Sequence, residues 1–202
     1  MCSIVAGLSR QLLTWPLGAP TIWFMERLDD MLIVVPGPGD AGALAEVHVK
    51  AWRETYAGLL PDPYLRRMNA QLYARRFRRQ LTSARPSEWL LAAEGRNGLV
   101  GYCAGQRRAD QPMAEVSTLY LVRKAQKVGL GRRLLGATAR VLEARGARSL
   151  RLWVLDGNDA ARGFYEHLGG SVGPRRPVLG WGGGFQETAF VWADIARLSA
   201  AA

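Results

Sequence analysis

Past the middle of this 202-residue chain the sequence reads Gln126-Lys127-Val128-Gly129-Leu130-Gly131-Arg132. It follows an apolar run typical of a β-strand, Val116-Ser117-Thr118-Leu119-Tyr120-Leu121. It precedes mostly apolar residues at helical spacing, namely Leu134, Leu135, Thr138, Val141 and Leu142. The stretch is therefore predicted to be a glycine turn between a strand and the first turn of an amphipathic helix.

A turn of this kind is suited to binding an anion. The first amides of a helix have no intrahelical partner, and the helix dipole adds partial positive charge at that end. Glycine lets the backbone approach a ligand closely and adopt dihedral angles that other residues avoid. Lys127, Arg132 and Arg133 add formal positive charge. The pattern indicates a pyrophosphate group held mainly by backbone amides.

Two better-known glycine motifs do not fit this stretch. A P-loop requires G-x-x-x-x-G-K-[ST], which the spacing of Gly129 and Gly131 does not match. The dinucleotide fingerprint G-x-G-x-x-G would need glycine where Leu134 stands, and it usually follows the first strand of its domain. The glycines alone do not exclude that this stretch is a helix start that binds no ligand.

Two blocks of the sequence resemble those of one known family. Gln126-x-x-Gly129-x-Gly131 is similar to the Q/R-x-x-G-x-G/A signature of the GCN5-related (GNAT) N-acetyltransferases, which bind acetyl-CoA. The family's second block follows at the expected distance as a strand over 152–155, then Asn158-x-x-Ala161 and Phe164-Tyr165-x-x-Leu168-Gly169. Residues 48–61 resemble a bacterial subgroup of the family, and the likeness as a whole covers residues 31–195.

The resemblance implies an α/β (α+β) fold, in which a mixed, mostly antiparallel central sheet splays open between two parallel strands and is flanked by helices. The local patterns predict the order βααβββαβαβ, with a further strand before Pro174 left open. The predicted helices are 40–57, 64–82, 129–145 and 159–168, and the predicted strands are 32–35, 88–94, 99–106, 115–122, 150–155 and 187–192.

The domain limits follow from the same comparison. Residues 1–30 are expected to be an N-terminal extension of uncertain structure, or else the true start is Met25 or Met31. Residues 31–202 are expected to form a single acetyltransferase domain.

The resemblance also implies which residues bind the cofactor. The pantetheine arm of acetyl-CoA would pair with the backbone of Leu119, Tyr120 and Leu121, much as a peptide adds to a strand edge. The pyrophosphate would be wrapped by Gln126, Lys127, Val128, Gly129, Leu130, Gly131 and Arg132. Asn158 matches a position that contacts the cofactor arm in relatives, and it also suits the N-cap of a helix beginning at Asp159.

Acetyl transfer to an amine needs two proton movements, because an ammonium must lose a proton and the departing thiolate must gain one. Tyr165 occupies the position of the family's acid, although it could instead pack apolar surface, and its ring must face away from that of Phe164. Glu115 matches the catalytic glutamate of the histone-modifying branch and is our candidate base, unless it is solvated or paired with an arginine. Strand alternation predicts Glu115, Ser117, Leu119 and Leu121 on one face.

Four positions depart from the family pattern, one of them Ala125, where many relatives carry an aromatic residue. Trp153 stands where protein N-terminal acetyltransferases often carry Glu, which argues against that substrate class. Arg123 replaces a proline that precedes the glycine turn in many relatives. Gly170 replaces the usual Phe after Leu-Gly, which predicts missing packing at that point.

Composition sets broader limits. The chain is 49% hydrophobic and 22% charged, as expected for one globular domain, and it has no apolar run of the roughly 18 residues that a membrane span needs. Its two cysteines form no metal or disulfide pattern, so Cys103 is predicted to be a buried thiol in a reducing cytoplasm. No cluster of residues with metal-ligand spacing is present in the sequence.

The formal net charge of +10 suggests attraction to anions. The densest cluster, Arg75, Arg76, Arg78 and Arg79, would spread around a helix and would not form one groove-facing stripe. We therefore expect a basic surface that draws in an anionic cofactor, with no nucleic acid as primary partner and no membrane.

Together these observations predict a cytoplasmic N-acetyltransferase that uses acetyl-CoA and no metal. The expected acceptor is a small-molecule or peptide primary amine, and a homodimer is in keeping with the family. The alternatives are a catalytically inactive CoA-binding regulatory module and a nucleic-acid-associated basic protein. Aromatic residues predicted to lie either in the acceptor pocket or in the core are Trp52, Tyr56, Tyr64, Trp89, Trp181 and Phe185.

Overall fold

The computed structural model of the protein describes residues 31–83, 85–178 and 184–200. The α-helices are α1 (Ala41–Tyr56), α2 (Asp62–Arg66), α3 (Ala70–Ser83), α4 (Leu130–Ala144), α5 (Asp159–His167) and α6 (Ala196–Ala200). The strands are β1 (Leu32–Val34), β2 (Glu88–Gly95), β3 (Gly98–Gln106), β4 (Met113–Leu121), β5 (Ser149–Leu155), β6 (Ser171–Pro177) and β7 (Gln186–Trp192). The predictions made for residues 1–30 and for Trp181 lie outside the described residues.

The strands form one sheet in the order β1-β2-β3-β4-β5-β7-β6. Every neighbouring pair is antiparallel except β4 and β5, which are parallel. This parallel pair is the one that the chain connects through α4, as a parallel pair requires a crossover. The predicted mixed, mostly antiparallel sheet is confirmed.

Strand β4 contains an irregularity that changes which side chains share a face. Ala104 of β3 pairs with Thr118, and Gly105 pairs with Val116, so Ser117 is an extra residue in β4. Such a bulge shifts the alternation of side chains by one position. The predicted common face of Glu115, Ser117 and Leu119 is therefore wrong, because beyond the bulge it is Tyr120 that continues the face of Glu115.

Helices cover both faces of the sheet. Tyr102 of β3 points to α1, where its hydroxyl contacts His48 Nδ1 at 2.6 Å. Leu121 pairs with Gly101 and so lies on the opposite face from Tyr102. On that face it contacts the start of α4, since a Cβ built on Gly131 would lie 3.6 Å from Leu121 Cδ1. The core therefore has two halves, with α1 and α3 on one side of the sheet and α4 on the other.

The predicted second helix is divided into α2 and α3. The two helices are separated at Arg67–Asn69, where the side-chain oxygen of Asn69 accepts hydrogen bonds from the amides of Gln71 and Leu72. An asparagine oxygen that satisfies the first free amides is an N-terminal cap, so a new helix begins there. The sequence pattern merged the two because the apolar spacing continues across the break.

The C-terminal part contains two elements that were left open or not predicted. The strand left open before Pro174 exists as β6, an exposed edge strand, and α6 follows β7. The packing predicted to be missing at Gly170 is supplied by Trp192, because a Cβ on Gly170 would lie 2.7 Å from Trp192 Cζ2. The indole Nε1 of Trp192 also donates to the carbonyl of Leu168 at 2.8 Å.

Two further expectations can be compared with the structure. Cys103 is completely buried, as predicted, and burial raises the pKa of its thiol to about 12. Within the described residues, no helix combines the length and the apolar character needed to cross a membrane.

Candidate functional site

A cleft opens between β4 and β5. The two strands pair only where residues 113–116 of β4 lie beside residues 149–152 of β5, and no pairing joins them beyond that point. On its other side β4 remains paired with β3 as far as Leu121. The edge of β4 from Ser117 to Leu121 is therefore open toward the cleft, and the predicted pantetheine-binding residues 119–121 lie along it. An open strand edge can bind an extended ligand through main-chain hydrogen bonds.

The predicted phosphate turn begins directly after this open edge. One turn of 3-10 helix, Arg123–Ala125, follows β4, and Gln126 Nε2 then donates to the carbonyl of Leu121 at 2.9 Å. Lys127 has a φ of 62° and Gly129 a φ of 80°, both in the left-handed region. Gln126 thus ties the turn back to the end of β4, and the glycine allows the reversal that starts α4.

The amides of the turn and of the first turn of α4 are available to a ligand. The first backbone bond at this end of α4 runs from the amide of Arg133 to the carbonyl of Gly129, at 3.1 Å. Among the described residues, none accepts a hydrogen bond from the amides of residues 127–132. Several consecutive free amides at a helix N-terminus are the arrangement that binds phosphate groups.

Side chains around the turn are arranged to leave its backbone accessible. Leu130 is 1% exposed and packs into the core, so only its backbone faces the site. A Cβ on Gly131 would lie 3.2 Å from Phe164 Cζ, so α5 packs directly against the turn. At the rim, Arg132 Nη2 lies 3.5 Å from His167 Nε2 and leaves a guanidinium beside the helix start.

Arg123, which stands where many relatives have proline, connects the turn to α1. Its amide donates to Glu54 Oε2 at 2.6 Å, and its Nη2 donates to the backbone carbonyl of Glu54 at 2.9 Å. Proline has no amide hydrogen and could make neither bond. The departure from the family pattern therefore creates a contact between the end of α1 and the turn.

The turn between β5 and α5 is stabilised by a cluster around Asp156. Its Oδ1 accepts from Thr188 Oγ1 at 2.6 Å, and its Oδ2 accepts from Arg175 Nε at 3.0 Å. The Thr188 hydroxyl first, and Arg175 with it, lower the pKa of Asp156. Two residues further on, Asn158 Oδ1 accepts from the amide of Ala161 at 3.2 Å. The capping role that we considered for Asn158 is therefore present, and its contact with a cofactor remains a prediction.

Tyr165 and Phe164 face different parts of the structure, as expected. Phe164 packs on the turn, whereas the ring of Tyr165 lies 5.8 Å from that of Phe190 and 6.0 Å from that of Trp192. Tyr165 is 7% exposed, and burial raises the pKa of its hydroxyl well above the usual value. The hydroxyl therefore stays protonated and able to donate at any pH at which the protein works.

Trp52 and Tyr56, which the sequence analysis names as separate candidates, form one row with His48 along the side of α1 that borders the cleft. His48, Trp52 and Tyr56 are spaced four apart and so lie on one face of the helix. The hydroxyl of Tyr56 lies 2.9 Å from that of Tyr120 on the open edge. Their spacing is the signal that could have revealed this row, since it indicates one helix face rather than three independent candidates.

The other aromatic candidates divide between the cleft side and the core. Trp89 is 5% exposed and belongs to the main core. Tyr64 and Phe185 are half-buried and pack with Trp52 against a smaller apolar cluster that contains Tyr56. That cluster lies on the α1 side of the cleft.

The candidate base Glu115 is held in an ion pair. Both Nε and Nη2 of Arg151 donate to Glu115 Oε2, at 3.1 and 2.6 Å. Glu115 lies in the segment where β4 and β5 are still paired, before the cleft opens. The pairing with an arginine, which was the alternative for this residue, is therefore present, and the role of Glu115 as a base remains a prediction.

Comparisons with known proteins agree with this geometry. The acetyltransferase (GNAT) family model matches residues 49–170. "Probable N-acetyltransferase Rv2775" of Mycobacterium tuberculosis is 29% identical over 151 residues, which cover 71% of this chain and 83% of the relative. "Uncharacterized N-acetyltransferase YuaI" of Bacillus subtilis is 30% identical over 131 residues, which cover 63% of this chain and 72% of the relative.

Among solved structures, PaiA N-acetyltransferase from Thermoplasma acidophilum in complex with coenzyme A superposes with a TM-score of 0.67. The superposition covers 79% of this chain and 97% of that structure at 21% identity, which shows a shared fold. The match of the family model runs from the second half of α1 through the open strand edge and the free amides to α5, so the sequence and the geometry lead to one assignment. The chain belongs to the acetyltransferase (GNAT) family.

Proposed function

We propose that this protein is an N-acetyltransferase that transfers the acetyl group of acetyl-CoA directly to a primary amine while both substrates are bound. One observation carries the proposal: the open edge of β4 leads straight into a turn with free backbone amides. Coenzyme A is an extended arm followed by a diphosphate, which is the order of groups that this edge and turn suit. The complex of PaiA with coenzyme A supports the same reading.

Two segments of the chain would bind the two parts of coenzyme A. Residues 119–121 of β4 offer main-chain groups to the arm, and the amides of 127–132 offer donors to the diphosphate. Lys127 and Arg132 add positive charge around the amides, in keeping with the net charge of +10 of the chain. Because the recognition uses backbone groups, it tolerates the apolar side chains Val128 and Leu130 at these positions.

The reaction joins the amine nitrogen to the thioester carbonyl carbon and breaks the bond between that carbon and sulfur. The acceptor ammonium must first lose one proton to a base, and its nitrogen loses a second as the amide forms. Tyr165 is our candidate for the donor to sulfur. Its raised pKa means that it first stabilises the thiolate as a hydrogen-bond donor, and the proton released by nitrogen restores any proton that it gives up.

The proposal is tested by incubating the protein with acetyl-CoA and a panel containing tyramine, L-lysine, spermidine and a tripeptide with a free N-terminus. Release of the CoA thiol together with a mass gain of one acetyl group in an amine supports it. Tight binding of CoA in calorimetry without thiol release for any amine would instead indicate a regulatory CoA-binding module. Absence of both binding and release would contradict the cofactor assignment itself.

A further inference from the structure

Glu187 lies on the acceptor side of the cleft although no sequence motif points to it. It is the second residue of β7 and pairs with Leu155, the last residue of β5, beyond the segment where β4 and β5 pair. Cross-strand partners share a face of the sheet. Leu155 packs in the apolar cluster that contains Tyr56 and Leu60, so Glu187 also faces the α1 side.

The negative charge of Glu187 acts on Tyr56, the last residue of α1. Burial is the main cause of the raised pKa of Tyr56, and the negative charge of Glu187 raises it further. The hydroxyl of Tyr56 in turn contacts that of Tyr120 on the open edge. Among the described residues, Glu187 contributes to the raised pKa of Tyr56 and Glu115 does not.

The carboxylate of Glu187 is oriented through one oxygen. Its Oε1 accepts from Arg176 Nε at 2.5 Å, whereas none of the described residues donates to its Oε2. Arg176 is itself held in place, because its guanidinium lies 3.7 Å from the centre of the Trp153 ring. The Glu187 side chain is 19% exposed, so the carboxylate is not sealed in the core.

The two candidate carboxylates therefore differ in position. Glu115 accepts two bonds from Arg151 in the closed segment of the β4–β5 pair, and Glu187 lies at the open end, where its cross-strand partner Leu155 packs in the cluster that contains Tyr56. A base must come within hydrogen-bond reach of the proton that it removes. We expect a carboxylate at the open end, and not one in the closed segment, to meet that condition for an amine entering from the α1 side.

We propose that Glu187 binds the ammonium group of the acceptor and takes its proton, a role that rests on the N-acetyltransferase function proposed above. The ligand class is a primary alkylammonium ion. One N–H bond of the ammonium breaks and an O–H bond forms at Oε2, which leaves the neutral amine to attack the thioester carbonyl. Arg176 keeps the carboxylate in position, and Tyr56 lies next to the amine on the side of Tyr120.

The experiment compares Glu187→Gln, Glu187→Asp and Glu115→Gln with the wild type, and uses Glu166→Gln on the exposed face of α5 as the matched control. For the best amine of the panel, Glu187→Gln should lower kcat/KM by about a hundredfold, a usual loss for a missing general base. Glu187→Asp should recover part of the activity. Acetyl-CoA affinity in calorimetry and the melting temperature should change little, and Glu166→Gln should behave as the wild type.

Wild-type kcat/KM in Glu187→Gln would overturn the role of Glu187, and so would a larger loss in Glu115→Gln. A general loss of folding in Glu187→Gln would appear as a lower melting temperature and weaker acetyl-CoA binding. In that case the variant Arg176→Met tests the proposal, because it removes the residue that orients Glu187 and keeps the Glu187 carboxylate. Wild-type turnover together with a wild-type KM for the acceptor in this variant would contradict the proposed role of Glu187. If the wild type acetylates no amine, the proposed function fails first and this role fails with it.

Discussion

The hydroxyl groups of Tyr56 and Tyr120 lie 2.9 Å apart and join the last residue of α1 to the open edge of β4. Two residues earlier in α1, Glu54 contacts Arg123 at the start of the phosphate turn. The end of α1 is thus attached both to the predicted arm-binding strand and to the predicted diphosphate-binding turn. A displacement of the end of α1 would therefore break contacts with both of these predicted binding elements.

Tyr165→Phe should lower kcat by about a hundredfold while leaving the affinity for acetyl-CoA unchanged. The substitution removes only a hydroxyl, and a missing general acid commonly costs 10²- to 10⁴-fold. Because burial raises the pKa of Tyr165, the wild-type enzyme should lose no activity through ionisation of this group up to about pH 10. Turnover across a pH series and calorimetry with CoA measure both effects. Equal turnover in the two proteins would remove Tyr165 from the mechanism.

Gly129→Val should weaken the binding of CoA by at least about tenfold. Nothing crowds a Cβ at this position, so the cost comes from the φ of 80°, which a β-branched residue adopts only with strain of about 1–3 kcal/mol. Gly42→Ala in α1 is the control, because that glycine has open space and no positive φ. Calorimetry compares the two variants, and an unchanged affinity in Gly129→Val would contradict the role of the turn.

Glu54→Ala should lower the free energy of unfolding by about 1 kcal/mol, since it removes a charge-assisted bond to an amide from a largely exposed position. It should also weaken CoA binding, because Arg123 lies at the start of the segment that leads to the free amides. Glu46→Ala, which changes an exposed glutamate on the same helix, is expected to have neither effect. Urea unfolding measures the free energy of unfolding, and calorimetry measures the affinity for CoA. Identical behaviour of the two variants would show that the contact between Glu54 and Arg123 does not stabilise the turn.

The buried His48 should make the protein less stable in acid. Burial first, and the charge of Arg76 second, lower the pKa of His48 from 6.5 to about 4. The folded state therefore favours the neutral ring, and this contribution to stability is complete above pH 6.5 and is lost as the pH falls toward 4. The loss over this range is about 3 kcal/mol.

The test of this pH dependence compares urea unfolding of the wild type and of His48→Gln at several pH values. The difference between their free energies of unfolding should change over the range from pH 6.5 to 4, because only the wild type carries the titrating ring. A constant difference would show that His48 does not take up its proton on unfolding in this range. The contact of His48 Nδ1 with Tyr102 is the bond that glutamine can in part replace.

Much of the fold was accessible from local sequence. The glycine turn, the helix that follows it and the strand before it were predicted close to their observed bounds, because hydrophobic periodicity and turn residues act over a few neighbouring positions. The errors also have local causes. The break at Asn69 was hidden by apolar spacing that continues through it, and the bulge at Ser117 leaves no mark in the pattern of residue types.

Only part of the candidate site could be predicted from the sequence. The turn at residues 127–132 depends on its own dihedral angles and free amides, so the motif in the sequence was sufficient to predict its conformation. The residues that pair with charged side chains could not be predicted from a local motif. Glu115 and Arg151 are 36 residues apart in the sequence. The charge of Glu187 acts on Tyr56 only because β7 pairs with β5.

By itself, the sequence determined most of the order of the elements, the family and the glycine turn before α4, because each of these follows from residue types at short spacing. The tertiary structure alone decided which face of β4 each residue occupies, which carboxylates are bound to arginine, and which tyrosines meet at the cleft. Those properties depend on strand register and on contacts between distant segments, and a shift of one residue in register changes all of them.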